Sequence, residues 1–136
     1  MFQNRNREEP EESQEVEEIT VIARRLNGAG DFVEGLLNVG HQAVLIKLSN
    51  GRYCVLERLR DRLALRDSSC LLEFSDWRAG RTKRCRPNIT LREVREVAER
   101  AAPNYDLIID NCYKVAQACV EFTTGVTDVV HTLWMH

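Results

Sequence analysis

HQAVLIKLSNGRYCVLERL, residues 41–59, is the stretch whose reading decides the fold. Apolar residues dominate from His41 to Leu48, Ser49-Asn50-Gly51 supplies residues able to take positive φ, and Arg52 to Leu59 continues extended, which predicts a β-hairpin. In a three-residue loop with Gly51 left-handed, Leu48 pairs with Arg52, residue 43 faces Glu57, and residue 41 faces Leu59. His41, Ala43, Glu57 and Leu59 then share one face of the sheet, with His41 and Glu57 as diagonal neighbours. A two-residue Asn50-Gly51 turn would slip the register by one and separate His41 from Glu57 onto opposite faces. The geometry therefore depends on the loop.

Upstream, residues 19–26 (ITVIARRL) read as a strand or a short helix, and the pattern does not decide between them. Residues 27–31 (NGAGD) are a turn by composition, and Phe32 to Leu37 reads as another strand. The first 18 residues hold seven Glu against Arg5 and Arg7 and almost nothing apolar. Such a segment cannot offset its ordering entropy, so residues 1–18 are expected to be a disordered acidic tail and residues 19–136 a single domain. Taking that local −5 from the overall −2 leaves +3 on the body.

Downstream, residues 60–87 look irregular and carry a basic cluster, Arg78, Arg81, Lys83, Arg84 and Arg86, beside Trp77. A helix then opens with Thr90 as N-cap, Glu93 completing a capping box, and Ile89 with Val94 as a hydrophobic staple. Leu91, Val94, Val97, Ala98 and Ala101 form its apolar stripe, and Pro103 follows its end. Tyr105 to Ile109 reads as a short buried strand or extended lead-in. Asp110-Asn111 then caps a second helix from about Cys112 to Phe122, which Thr123-Thr124-Gly125 stops. Val126 to Trp134 is an amphipathic tail, suited to packing on the domain. The class expected is α+β, a small antiparallel sheet packed against helices.

Length and composition agree with this. At 136 residues and 43% hydrophobic, the chain can build one ordinary core. It lacks an apolar run long enough to cross a bilayer, and its acidic start is unlike a secretory or transit signal, so a cytoplasmic protein is expected. Five cysteines, 54, 70, 85, 112 and 119, show neither paired framework spacing nor a zinc pattern, which fits a reducing compartment.

Three residues, His41, Glu57 and Cys112, suggest chemistry. A carboxylate at Glu57 beside His41 would orient the imidazole and favour its charged form. Cys112 in the first turn of a helix would lie near free N–H groups that stabilise a thiolate, and later an oxyanion, with Asn111 supporting the cap. A depressed Cys112 thiol pKa would mark an active site, whereas a normal or raised one would favour a binding role. Cys54, Cys70 and Cys119 read as small core residues.

The segments Gly30-Asp31-Phe32-Val33-Glu34, His41-Gln-Ala-Val-Leu-Ile and Asn50-Gly51-Arg-Tyr-Cys-Val-Leu-Glu57 resemble the signature of the lecithin retinol acyltransferase-like family. That family includes the HRAS-like suppressor phospholipase/acyltransferases and the picornaviral H-box/NC proteins. Val97 to Ala102, Tyr105 to Cys112 and Glu121 to Asp128 are similar to its later helix, Asn-Cys strand end and exit, so the likeness spans about residues 30–129. It implies a circularly permuted NlpC-type, papain-like fold, with His41 as general base and acid and Cys112 as the nucleophile that forms an acyl-thioester. Glu57 stands where active members usually carry a second histidine. Tyr113-Lys114-Val115 replaces the usual continuation after Asn-Cys.

The function expected is a thiol-dependent acyl hydrolase or acyltransferase acting on phospholipid or related acyl esters, with no cofactor. An interaction module that keeps the signature but binds host or cellular proteins is the alternative, and a cysteine peptidase-like hydrolase the third reading. Trp77 and the basic cluster could rest on anionic head groups at a membrane periphery. Sequence-specific nucleic-acid binding is not expected.

Overall fold

The computed structural model describes residues 12–24, 41–59, 62–73, 77–101 and 108–125. The hairpin closes with the three-residue loop: Gly51 takes φ +88°, its N–H donates to the Leu48 carbonyl at 2.9 Å, and the Leu48 N–H donates to Arg52 at 2.8 Å. Strand β2 (His41–Leu48) therefore pairs with β3 (Tyr53–Arg58) in the register Ala43 to Glu57 through Lys47 to Tyr53. The register predicted from Gly51 is the one observed.

Among the described residues four further strands join this antiparallel sheet: β1 (Val16–Arg24), β4 (Leu63–Asp67), β5 (Arg78–Ala79) and β6 (Lys83–Arg84). Their order is β4-β3-β2-β1, with β5 and β6 following one another along the outer edge of β1. Because β1 lies between neighbours on both sides, Ile19 to Ala23 are all buried, which settles residues 19–24 as strand. Residues 60–87 are less irregular than their composition suggests, since they supply β4, a 3-10 segment at Ser68–Glu73, β5 and β6.

The expected tail boundary at residue 18 is too late. Residues 12–18 are ordered because their polar groups find partners. The carbonyls of Glu12 and Gln14 accept the N–H groups of Arg92 and Leu91 at 2.9 Å each, and Glu15 accepts from Ser49 at 2.8 Å. The Glu15 carboxylate accepts the Asn88 N–H at 2.7 Å, and Glu12 pairs with Arg95. Acidic composition is compatible with order where donors are waiting. Residues 1–11, like the strand expected at Phe32 to Leu37 and the tail from Val126, lie outside the described residues.

Helix α1 (Leu91–Ala101) begins as its capping box predicts, with Thr90 N–H donating to Glu93 at 2.9 Å and Glu93 N–H donating to the Thr90 hydroxyl at 3.3 Å. Helix α2 (Ile108–Thr124) ends at Gly125, whose φ of +78° and N–H bond to Glu121 at 2.9 Å form a left-handed cap. Both helices cover one sheet face. Leu91, Val94 and Ala98 of α1 and Val115, Ala116 and Cys119 of α2 join Val44, Ile46 and Leu56 in one core. Each large apolar side chain buried there contributes about 1.5–3 kcal/mol. Ile22, Ala43 and Val55 point the other way, under Leu45, Leu71 and Trp77.

Candidate active site

His41 and Glu57 leave neighbouring strands on the face turned away from the helices, where the hairpin register brings them together. His41 Nε2 lies 2.5 Å from Glu57 Oε2, and both side chains are only 2% exposed. The other carboxylate oxygen accepts from Arg66 on β4, whose register partner Val55 places it diagonally from Glu57. Burial would push the Glu57 carboxyl up, but the hydrogen bonds and charges of His41 and then Arg66 hold it below the ordinary carboxylate range. Glu57 is thus an anion at neutral pH and can only accept, so His41 Nε2 donates the hydrogen of this bond and Nδ1 is the ring's other nitrogen.

Trp77 completes the setting of the ring. Its centroid is 6.3 Å from that of His41 at an interplanar angle of 53°, and the Arg24 guanidinium stands 5.4 Å over the indole. The residue read as part of a basic surface patch is half-buried against the imidazole. The cluster itself is divided. Arg78, Lys83 and Arg84 belong to the strands edging β1, whereas Arg86 donates to the Phe122 carbonyl at 2.5 Å, where a cation complements the α2 C-terminus.

Cys112 differs from expectation in two ways. The helix starts at Ile108, so Asn111 is its fourth residue and Cys112 its fifth, one turn inside rather than at the mouth. Asn111 is therefore no N-cap; Asp110, equally at home in a first turn, does not fix the boundary. The extended lead-in expected through Ile109 is likewise helical from Ile108. The thiol is also not depressed. Burial pushes it up, the N–H groups of Gln42, Tyr113 and Cys112 itself draw it down only in part, and the Glu57 carboxylate adds to the rise. At 1% exposure Cys112 rests as a neutral thiol.

The sulfur nevertheless lies beside the pair. Cys112 Sγ accepts the Gln42 main-chain N–H at 3.4 Å, and Gln42 follows His41 directly. Thiol and imidazole are neighbours at the start of β2, and the Glu57 carboxylate that holds His41 also acts on the thiol. The contacts holding His41 are Glu57 and Trp77.

Arg66 and Gln42 escaped the sequence reading. The period-two spacing of Leu63 and Leu65 would have revealed β4 and, through it, Arg66; nothing in the sequence marks Gln42. Cys54 and Cys119 are fully buried core residues as expected, while nothing is described of the Cys70 side chain. No helix among the described residues is long and apolar enough to cross a membrane. In comparisons with known proteins, no family model matches the chain, and no curated protein or solved structure matches it.

Proposed function

We propose that this chain is a cysteine-dependent acyl hydrolase or acyltransferase of circularly permuted, NlpC-type papain-like design, as its resemblance to the lecithin retinol acyltransferase-like proteins implies. The observation that carries this reading is the buried Glu57–His41 pair with the Cys112 sulfur against the next residue of the same strand. Withdrawing a carboxylate and an imidazole from water costs several kcal/mol per ion, and apolar residues of similar volume would fill the space more cheaply. A site that orients a base beside a thiol gives the pair a purpose.

Since the thiol is neutral at rest, the reading has His41 act as a general base during attack rather than as partner of a preformed thiolate. His41 Nδ1 takes the thiol proton as sulfur bonds to the carbonyl carbon, and Glu57 stabilises the resulting imidazolium through Nε2. The proton then passes to the departing alcohol, leaving an acyl-cysteine that water or a second acceptor resolves. Among the described residues β2 pairs with β3 only from Ala43 onward, so His41 is laddered to β1, through Arg24. Catalytic hydrogen bonds commonly tighten only in the substrate complex. Phospholipid or related acyl esters are the substrates proposed, met in the cytoplasm or at a membrane periphery.

The test is covalent. An activated acyl ester and a phospholipid vesicle are each offered to the protein, and Cys112 is examined by mass spectrometry for an acyl adduct absent from Cys112→Ala. A folded protein that takes no label from either donor refutes the proposal. The buried, neutral thiol favours a second reading, an interaction module with a silent site. Under it Cys112→Ala retains every binding function, and no acyl adduct forms.

A further inference from the structure

Gln42 stands between the two groups of the site and is 3% exposed. Its side-chain Nε2 is buried and has no hydrogen-bond partner among the described residues. An unpaired buried amide donor is unfavourable, and its persistence calls for a group that completes it. Alternation along β2 turns Gln42 to the face it shares with Val44 and Ile46, the face that packs on α2, the helix that carries Cys112. The main-chain N–H of the same residue already reaches Cys112 Sγ at 3.4 Å, and the N–H groups of Cys112 and Tyr113 also bear on that sulfur.

We infer that Gln42 is the oxyanion donor of this site, its side-chain Nε2 and main-chain N–H together receiving the carbonyl oxygen of an ester-class acyl donor. The inference rests on the acyl-transfer reading above and assigns it a catalytic residue. When a sulfur lone pair forms the C–S bond, the π pair of the carbonyl moves onto oxygen and the thiol proton goes to His41. The new charge sits two bonds from a sulfur that the Gln42 N–H already contacts, on the side where the unpaired amide waits. Collapse re-forms the carbonyl and breaks the bond to the leaving alkoxide, which takes the proton back from His41. Preorganised donors of this kind act on charge that develops only in the transition state. The orphaned amide in the resting protein is then a group held ready for an oxygen that arrives with the substrate.

The experiment compares two reactions of the same thiol in the full chain. Acylation by p-nitrophenyl butyrate forms an oxyanion, whereas alkylation by iodoacetamide does not. Gln42→Met keeps the length of the side chain and removes its donor, so acylation of Cys112 should fall about 100- to 1000-fold while alkylation stays within about twofold. Its melting temperature should equal or exceed that of the wild type, because the amide it removes satisfies nothing in the resting fold. Acylation of Gln42→Met within about threefold of wild type overturns the oxyanion role and leaves the acyl-transfer reading standing. Wild-type protein that alkylates at Cys112 but never acylates overturns both. A parallel loss of acylation, alkylation and melting temperature assigns Gln42 a structural role and overturns the inference. Gln42→Asn, which keeps a shorter amide, should recover part of the acylation rate.

Discussion

Replacing Glu57 with Gln tests the buried pair most directly, because the side chain keeps its shape and loses its charge. In the wild type the carboxylate accepts from His41, itself 2% exposed, and from Arg66, which is 33% exposed. Hydrogen bonds to charged groups contribute about 1.5–3 kcal/mol each, and removing one partner of a fully buried pair costs about 3–5 kcal/mol. The glutamine retains a neutral bond to one neighbour, and the part-exposed guanidinium recovers hydration, so the expected loss at neutral pH is about 2–3 kcal/mol. For a domain of this size that lowers the melting temperature by roughly 6–10 °C. The pH dependence supplies a second signature. Glu57 has a folded pKa held below its ordinary value, so its contribution is fully present above about pH 4.3 and is lost as acid carries the folded carboxyl through that lowered pKa. Urea unfolding of both proteins from neutral to strongly acid pH should therefore give curves that converge in acid. A gap under about 0.5 kcal/mol at neutral pH, or one that persists undiminished into strong acid, would refute the assignment of that stability to charge.

Burial pushes the thiols of Cys54 and Cys119 to about 12 and that of Cys85 to about 11, so each contributes stability that is intact below about pH 8.5 and lost as pH rises through the folded values. The urea midpoint should fall steadily across that alkaline range, and thiolate absorbance that rises at ordinary thiol pH in the native protein would contradict it. Thr90→Ala removes the hydroxyl that accepts the Glu93 N–H at 3.3 Å, and because that bond is long the expected cost in chemical denaturation is about 0.5–1 kcal/mol. No loss would show that main-chain contacts from Glu12 and Gln14 suffice to hold the helix start. Gly51→Ala meets open space, so its whole cost, about 1–2 kcal/mol, is that of a side chain at φ +88°. A larger loss with altered hairpin amide shifts in NMR would mean the register itself had slipped.

What the sequence revealed and what it hid have physical causes. The hairpin was legible because one glycine at residue 51 fixes both loop type and register, and every later cross-strand neighbour follows from it, including Glu57 opposite Ala43. The start of α1 was legible because Thr90, Glu93, Ile89 and Val94 all act locally, within one turn of the boundary. Order in residues 12–18 was hidden because it depends on donors from Arg92, Leu91 and Asn88, more than seventy positions away. The site was half legible for the same reason. His41 and Glu57 meet through a short-range register, whereas the protonation of Cys112 depends on how deeply α2 is packed, which no local pattern encodes.

The strap at residues 12–15 also bears on how the chain reaches its native state during synthesis. The hairpin and β4 can pair with neighbours close in sequence, and Ser49 can already hold Gln14 and Glu15, but the carbonyls of Glu12 and Gln14 and the Glu15 carboxylate must wait for Arg92, Leu91 and Asn88. Contacts that close loops of such length are entropically late and slow the approach to the finished topology. A nascent polypeptide stalled before the first helix would therefore hold residues 12–15 only through Ser49, and cleavage near Glu12 during arrested translation would detect it.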